Sequence, residues 1–159
     1  MAILALVAFA ACSTPSTANT PTPGSASVLG DVSKGQELFR ANCAVCHGAA
    51  GEGQSDWHIK REDGTLPAPP LNGDGHTWHH SDGLLYRIVS QGGSIFEDSG
   101  YPGFKSGMPA FGGQLSRQEI IAVITYVKSL WAGKTRLGLV IGESQALVSE
   151  EDPFPSDGD

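Results

Sequence analysis

The stretch Ala41-Asn42-Cys43-Ala44-Val45-Cys46-His47-Gly48 (ANCAVCHG) sets two thiols three positions apart, with an imidazole directly after the second. Three chemistries use such a pattern, and each needs different residues elsewhere. A structural zinc site takes four ligands, usually as two pairs. The chain has one further cysteine, Cys12, and its other histidines (His58, His76, His79 and His80) do not supply a second pair at zinc-finger spacing. A redox dithiol of the thioredoxin kind sits beside a βαβ pattern, which is missing here, and it gives His47 no task. Covalent attachment of a haem uses all three residues. Each thiol adds across one vinyl group, cysteines one helical turn apart reach both, and the adjacent histidine is carried beneath the iron.

That reading demands a partner for the opposite face of the iron. Gly107-Met108-Pro109-Ala110-Phe111 provides one, for Met108 is the only methionine besides Met1. It stands in a Gly-rich loop (GFKSGMPAFGG), away from any helix face where methionine fills a gap in a core. Pro109 fixes the backbone beside it, and Phe111 is suited to shielding a haem. The competing role for Met108 is half-buried packing.

The surrounding pattern is helical. Ser116-Arg117-Gln118-Glu119 reads as a capping box, with Leu115 and Ile120 as a hydrophobic staple. Ile120, Val123, Ile124, Val127, Leu130 and Trp131 then recur on one helical face until Gly133. A first helix is predicted from Ser33, with Gln36 completing a second capping box, to about Asn42. Gly35, Phe39 and Cys43 recur along it every four residues. Glycine on a helical face costs roughly 1 kcal/mol relative to alanine, so Gly35 marks the close approach of another backbone. A middle helix is predicted after Ser81, carrying Leu84, Leu85, Ile88 and Val89 and ending at Gly92-Gly93. The connections 48–80 and 92–115 are long and rich in Gly and Pro. Loops of that length inside one domain need something other than a core to hold them, and a large apolar cofactor would do so. No repeat and no convincing strand alternation is present.

In these features the chain resembles a class I c-type cytochrome, of the small bacterial kind grouped with the cytochrome subunits of terminal oxidases. The resemblance covers about Asp31 to Trp131. ANCAVCHG matches the attachment site, Pro69-Pro70-Leu71-Asn72-Gly73 the family's P-x-L-x-G, GMPAF the distal methionine, and IIAVITYVKSLW the terminal helix. It implies the all-α cytochrome c fold, with three or four helices and long Gly/Pro-rich loops around one haem c bound to Cys43 and Cys46. It further implies axial ligation of the iron by His47 and Met108, with the Pro69 carbonyl holding the imidazole. Gly35 and Phe39 are then expected to cross against Val123 and Tyr126. The stretch 48–68 is longer than in compact members, and Trp57 and His58 within it remain unassigned.

A haem iron with both axial positions filled has no place for substrate, so the expected function is single-electron transfer without catalysis. Trp78 and Arg87, donors near the middle helix, are candidates to bond the haem carboxylates, the alternative being an ordinary core tryptophan and a solvated arginine. Two other functions compete. His76, His79 and His80 lie within five residues; they are expected to line the haem edge or face solvent, but could bind copper, making haem secondary. An open iron site would instead make a ligand sensor or an enzyme.

The ends of the chain bear on location. Residues 1–11 (MAILALVAFAA) are apolar and uncharged, too short to span a bilayer but suited to a signal peptide. Cys12 after Ala10-Ala11 resembles the lipoprotein box, which makes it the expected lipid attachment point; Ala8-Phe9-Ala10 offers ordinary cleavage instead. Residues 12–30 are a Ser/Thr/Pro-rich tether. The expected organisation is thus signal peptide 1–11, tether 12–30, cytochrome domain 31–133 and acidic tail 134–159, exported to the periplasm or the outer face of the cytoplasmic membrane. Of the net charge of −7, little belongs to 31–136, which has 11 acids against 10 bases; six acids follow. This excludes a basic nucleic-acid binder. With five lysines in all, a strongly basic docking face is absent as well, so partners such as a terminal oxidase or a dehydrogenase would be steered weakly or with reversed sign. The tail is most simply solvated and mobile, though Leu137–Ile141 and Ala146–Val148 are apolar enough to leave folding back open.

Overall fold

A computed structural model describes residues 30–97 and 103–158. The leader 1–11, Cys12 and nearly all of the tether lie outside the described residues. Five helices occur in the order α1 (Val32–Asn42), α2 (Ala44–His47), α3 (Asp82–Gln91), α4 (Arg117–Ser129) and α5 (Ile141–Glu151). Single 3-10 turns at Thr77–His79 and Gly93–Phe96 interrupt the two long connections.

The helices start where local chemistry starts them. At α4 the capping box forms in both directions, Glu119 N–H donating to Ser116 Oγ (3.4 Å) and Ser116 N–H to Glu119 Oε2 (2.9 Å). Ser81 caps α3, and Gly92 ends it with φ +83°, a conformation that glycine adopts without strain. The expected Ser33–Gln36 box does not form. Asp31 caps α1 instead, its carboxylate accepting from the N–H groups of Ser33 (2.8 Å) and Lys34 (3.2 Å). A carboxylate there satisfies two free amides and also meets the positive end of the helix dipole, which a serine hydroxyl cannot match.

Helices α1 and α4 cross at Gly35. A Cβ on that residue would lie 2.0 Å from the Ala122 carbonyl oxygen, so the backbones meet with no room for a side chain. Next along the crossing, the Phe39 and Tyr126 rings lie 5.2 Å apart. On α4 not one face but every residue from Ile120 to Val127 is buried. The helix is covered by α1 on one flank, by α3 on another, and faces a cavity with Val123, Ile124 and Val127.

Past Trp131 the tail folds back over the domain. Gly133 turns the chain with φ +70°. A hairpin follows, β1 (Thr135–Arg136) pairing with β2 (Leu139–Val140). Its two-residue turn, Leu137-Gly138, has φ +51° and +79°, the pattern of a type I′ turn. Strands of two residues are too short for alternation to reveal them. Helix α5 then packs against α3 and the Thr77–His79 turn, burying Ile141, Gln145 and Ser149, and Phe154 is buried beyond it.

Candidate haem-binding site

A cavity of about 610 Å³ opens between α1–α2, the 48–68 stretch, α3, the Met108 loop and α4, and its walls are mainly apolar. Helix α2 is a single turn in which the N–H groups of Cys46 (3.1 Å) and His47 (2.9 Å) both donate to the Cys43 carbonyl. This turn sets Cys43, Cys46 and His47 on one wall. No disulfide engages either cysteine. Before a haem is attached, burial, with a smaller contribution from Cys46, pushes the Cys43 thiol up to about 11, so at neutral pH it is a thiol and not a thiolate.

His47 is buried, and its Nδ1 donates to the Pro69 carbonyl at 2.9 Å. A carbonyl only accepts, so the proton belongs on Nδ1 and the free lone pair on Nε2. Burial lowers the imidazole's pKa, only partly opposed by the Pro69 bond, which keeps the ring in its neutral, metal-binding form.

Met108 and Phe111 lie on the same cavity's lining. Their loop is fastened to the end of α3: Gly93 N–H donates to the Met108 carbonyl (3.1 Å), Phe111 N–H to that of Val89 (3.0 Å), and Gly112 N–H to that of Ser90 (2.9 Å). The fastening needs Gly92, where a Cβ would come within 2.9 Å of the Met108 carbonyl oxygen. Two thiols, a neutral imidazole with a free lone pair and a lone thioether around an apolar cavity make a donor set that fits a covalently attached haem.

Six of the predicted residues (Cys43, Cys46, His47, Pro69, Met108 and Phe111) therefore share one cavity. Two do not. Trp78 packs against the core and spends its Nε1 on the Gly75 carbonyl at 3.1 Å. Arg87 is exposed and grips Asp152 with both terminal nitrogens (3.0 and 2.9 Å). The helical period accounts for the position of Arg87: Leu85, Ile88 and Val89 turn toward the cavity, and Arg87 falls on the far side of α3. The arginine on the cavity wall is Arg61, from the 48–68 stretch, hydrogen-bonded to Gln54 Oε1 at 2.6 Å and accompanied by Trp57. That stretch runs beside the Met108 loop, with Lys60 Nζ donating to the Gly103 carbonyl (2.8 Å) and a parallel bridge joining Thr65 to Lys105. An arginine and a tryptophan in a long loop between the attachment run and Pro69 were the only sequence signal for it.

His76, His79 and His80 also line the cavity, but they pack ring to ring, 4.6 to 5.4 Å apart, with Trp57 stacked on His76. Among the described residues no group of three or more His, Cys, Asp or Glu is placed to hold a metal ion, so the structure does not support a copper site here. Burial, followed by the neighbouring His79 and His76, lowers the pKa of His80 to about 4.

Residues 32–131 match the family model for cytochrome c, and the chain belongs to that family as a class I c-type cytochrome carrying one covalent haem c. It is similar to the CcoP subunit of the cbb3-type cytochrome c oxidase of Azospirillum sp., 34% identical over 127 residues that cover 74% of this chain and 38% of that protein. It is also similar to the FixP subunit from Azorhizobium caulinodans, 33% identical over 97 residues covering 61% and 28%. A cytochrome c6 from Synechococcus sp. is 32% identical over 107 residues, covering 65% of this chain and 77% of its own. The chain thus spans roughly a third of the oxidase subunits it matches. No solved structure matches it. Among the described residues no helix is long and apolar enough to cross a membrane.

Proposed function

We propose that this cytochrome transfers single electrons with its iron held between His47 and Met108, and that it exchanges them with a terminal oxidase outside the cytoplasm. The observation that carries the proposal is the shared cavity: a neutral imidazole with a free Nε2 lines it together with the one methionine available to oppose it. When bound, haem c supplies a reversible Fe(III)/Fe(II) couple. The chain's own residues do the rest. Met108 offers a thioether, a weaker donor than a second imidazole or a thiolate, and so favours the reduced state. The apolar lining of Phe39, Leu85 and Val123 acts in the same direction, because the extra positive charge of the oxidised state is costly away from water. The Pro69 carbonyl fixes the tautomer and the rotation of the His47 ring. Arg61 and Lys105 are the cations available on the wall to meet the haem carboxylates, in place of Arg87.

Relatives named as cbb3-type oxidase subunits support an oxidase as partner, and one named thiosulfate dehydrogenase gives a dehydrogenase as the second reading for the donor side. In this scheme Cys12 carries lipid and the tether 12–30 lets the domain reach partners from the outer membrane face. Two measurements on the matured protein test the ligation: a redox titration and exposure of the reduced form to carbon monoxide. A one-electron titration curve and no uptake of the gas are expected. Ready stoichiometric uptake would mean an open iron, and the carrier reading would fail.

A further inference from the structure

The carbonyl that orients His47 belongs to the segment Pro69–Asp74, which has no helix or strand of its own. Along one edge the N–H groups of Leu71 (2.7 Å) and Asn72 (3.1 Å) donate to the Gly51 carbonyl. Along the other, three carbonyls of the segment accept from three side chains of one short stretch after α4. Leu71 accepts from Trp131 Nε1 (2.7 Å), Asn72 from Lys134 Nζ, and Asp74 from Arg136 Nη1 (3.0 Å). Between them Gly73, at φ +98°, lies beneath Ile141, whose Cδ1 is 2.8 Å from where a Cβ would stand. Further on, the amide of the wholly buried Gln145 donates to the His80 carbonyl (3.2 Å) and to Asp82 Oδ1 (2.7 Å), which also takes Lys128 Nζ at 2.6 Å.

The extension that reaches over the loop is itself tied down. Asp152 bonds Arg87 and Ser81, Asp157 bonds Arg117 at 2.5 Å, and Arg117 also donates to the Pro155 carbonyl. Trp131 is the last residue of the family match, so Lys134, Arg136, Ile141 and Gln145 all lie past it.

We propose that residues 134–157 form a strap that fixes the Pro69 carbonyl against His47 and thereby sets the donor strength of that imidazole. Lys134, Arg136 and Gln145 are its positioning residues. The inference rests on the reading of His47 as an iron ligand. A carbonyl accepting from Nδ1–H makes Nε2 a stronger donor, and a stronger donor favours the oxidised iron. A loosened strap weakens that bond and raises the potential. The sign is diagnostic. Removing two cations, or admitting water, would by itself favour the more highly charged oxidised state and lower the potential.

The test uses the matured full-length protein with Lys134→Ala and Arg136→Ala combined, set beside Lys134→Arg, which keeps the donor. Two quantities are read: the midpoint potential at fixed ionic strength, and the exchange rate of the His47 Nδ1 proton by NMR. The double variant is expected to shift the Fe(II)/Fe(III) ratio about threefold toward Fe(II), about 28 mV upward at about 59 mV per tenfold. Its Nδ1 proton should exchange at least roughly tenfold faster, because a weakened strap opens that bond more often. Lys134→Arg should match the wild type in both. A potential that stays or falls with unchanged exchange, in a wild type whose spectrum is that of a His/Met iron, overturns the strap alone. A wild type without that spectrum overturns the ligand reading beneath it. Should the double variant fail to load haem, Arg136→Gln carries the same signs at smaller size and decides the matter equally.

Discussion

At His47 burial and the Pro69 carbonyl act on the ring in opposite directions, and burial dominates, leaving a neutral imidazole with one committed nitrogen. A similar division separates the chain's arginines. Arg61 stands on the cavity wall, while Arg87 is fully engaged with Asp152 on the other side of α3. Replacing Arg87 with alanine should leave the visible spectrum unchanged, raise the potential no further than loosening the strap does, and cost less than about 1 kcal/mol, the usual worth of an exposed ion pair. Arg61→Leu should move the potential, since it removes a cation from the cavity wall. Electrochemistry on the two variants checks both; a shift confined to Arg87→Ala would reverse the assignment. That Cys43, Cys46, His47 and Met108 share one cavity was legible in the sequence, because covalent and coordinate chemistry would dictate their local spacing and residue type. For Trp78 and Arg87 the sequence left carboxylate contact open beside ordinary packing and solvation, because such contacts depend on which side of an element faces the cavity, and a donor's identity does not carry that information.

Among the elements, the α1–α4 crossing is the most constrained. Gly35→Ala places a methyl 2.0 Å from the Ala122 carbonyl oxygen, so the helices must move apart. The expected loss is at least about 1–3 kcal/mol, the cost of overpacking, read as a lower denaturation midpoint at unchanged slope. An unchanged midpoint would mean that the helices are not in contact there. Gly35 announced this crossing in the sequence, through its place in a run of every fourth residue. Helix α5 announced nothing. Its buried positions Ile141, Gln145 and Ser149 recur every four residues, but two are polar and bond Asp82, Gln145 Nε2 donating to its carboxylate and Ser149 Oγ accepting from its N–H, while Leu147 (66% exposed) and Val148 (38%) point outward. Hydropathy cannot flag a buried face made of an amide and a hydroxyl. The docking of α5 also depends on pH. Hydrogen bonds from Arg87, then Ser81, hold the Asp152 carboxyl down at about 2, against 3.8 ordinarily. Its contribution is therefore complete above about pH 3.8 and lost as the pH falls through about 2. Backbone amides of α5 should lose protection from exchange in that window before those of α4; simultaneous loss would contradict a separately held tail.

For the whole molecule, the described chain is a small, mainly helical shell around an apolar cavity, with an extension that the family match does not include closing over the segment Leu71–Asp74. Nearly balanced charge over 31–136 and acids gathered at the end give the chain no excess of basic residues for docking. The overall class was legible because two short motifs and one helix crossing demand it. The closure was not, because it depends on carbonyl contacts between segments about sixty residues apart. The account stands on the pairing of His47 with Met108 across that cavity. An absorption spectrum of the oxidised, matured protein, taken beside that of Met108→Ala, tests it most directly. The weak long-wavelength sulfur-to-iron band should be present in the wild type and absent from the variant. A wild-type spectrum lacking the band, or a band that survives in Met108→Ala, would contradict it.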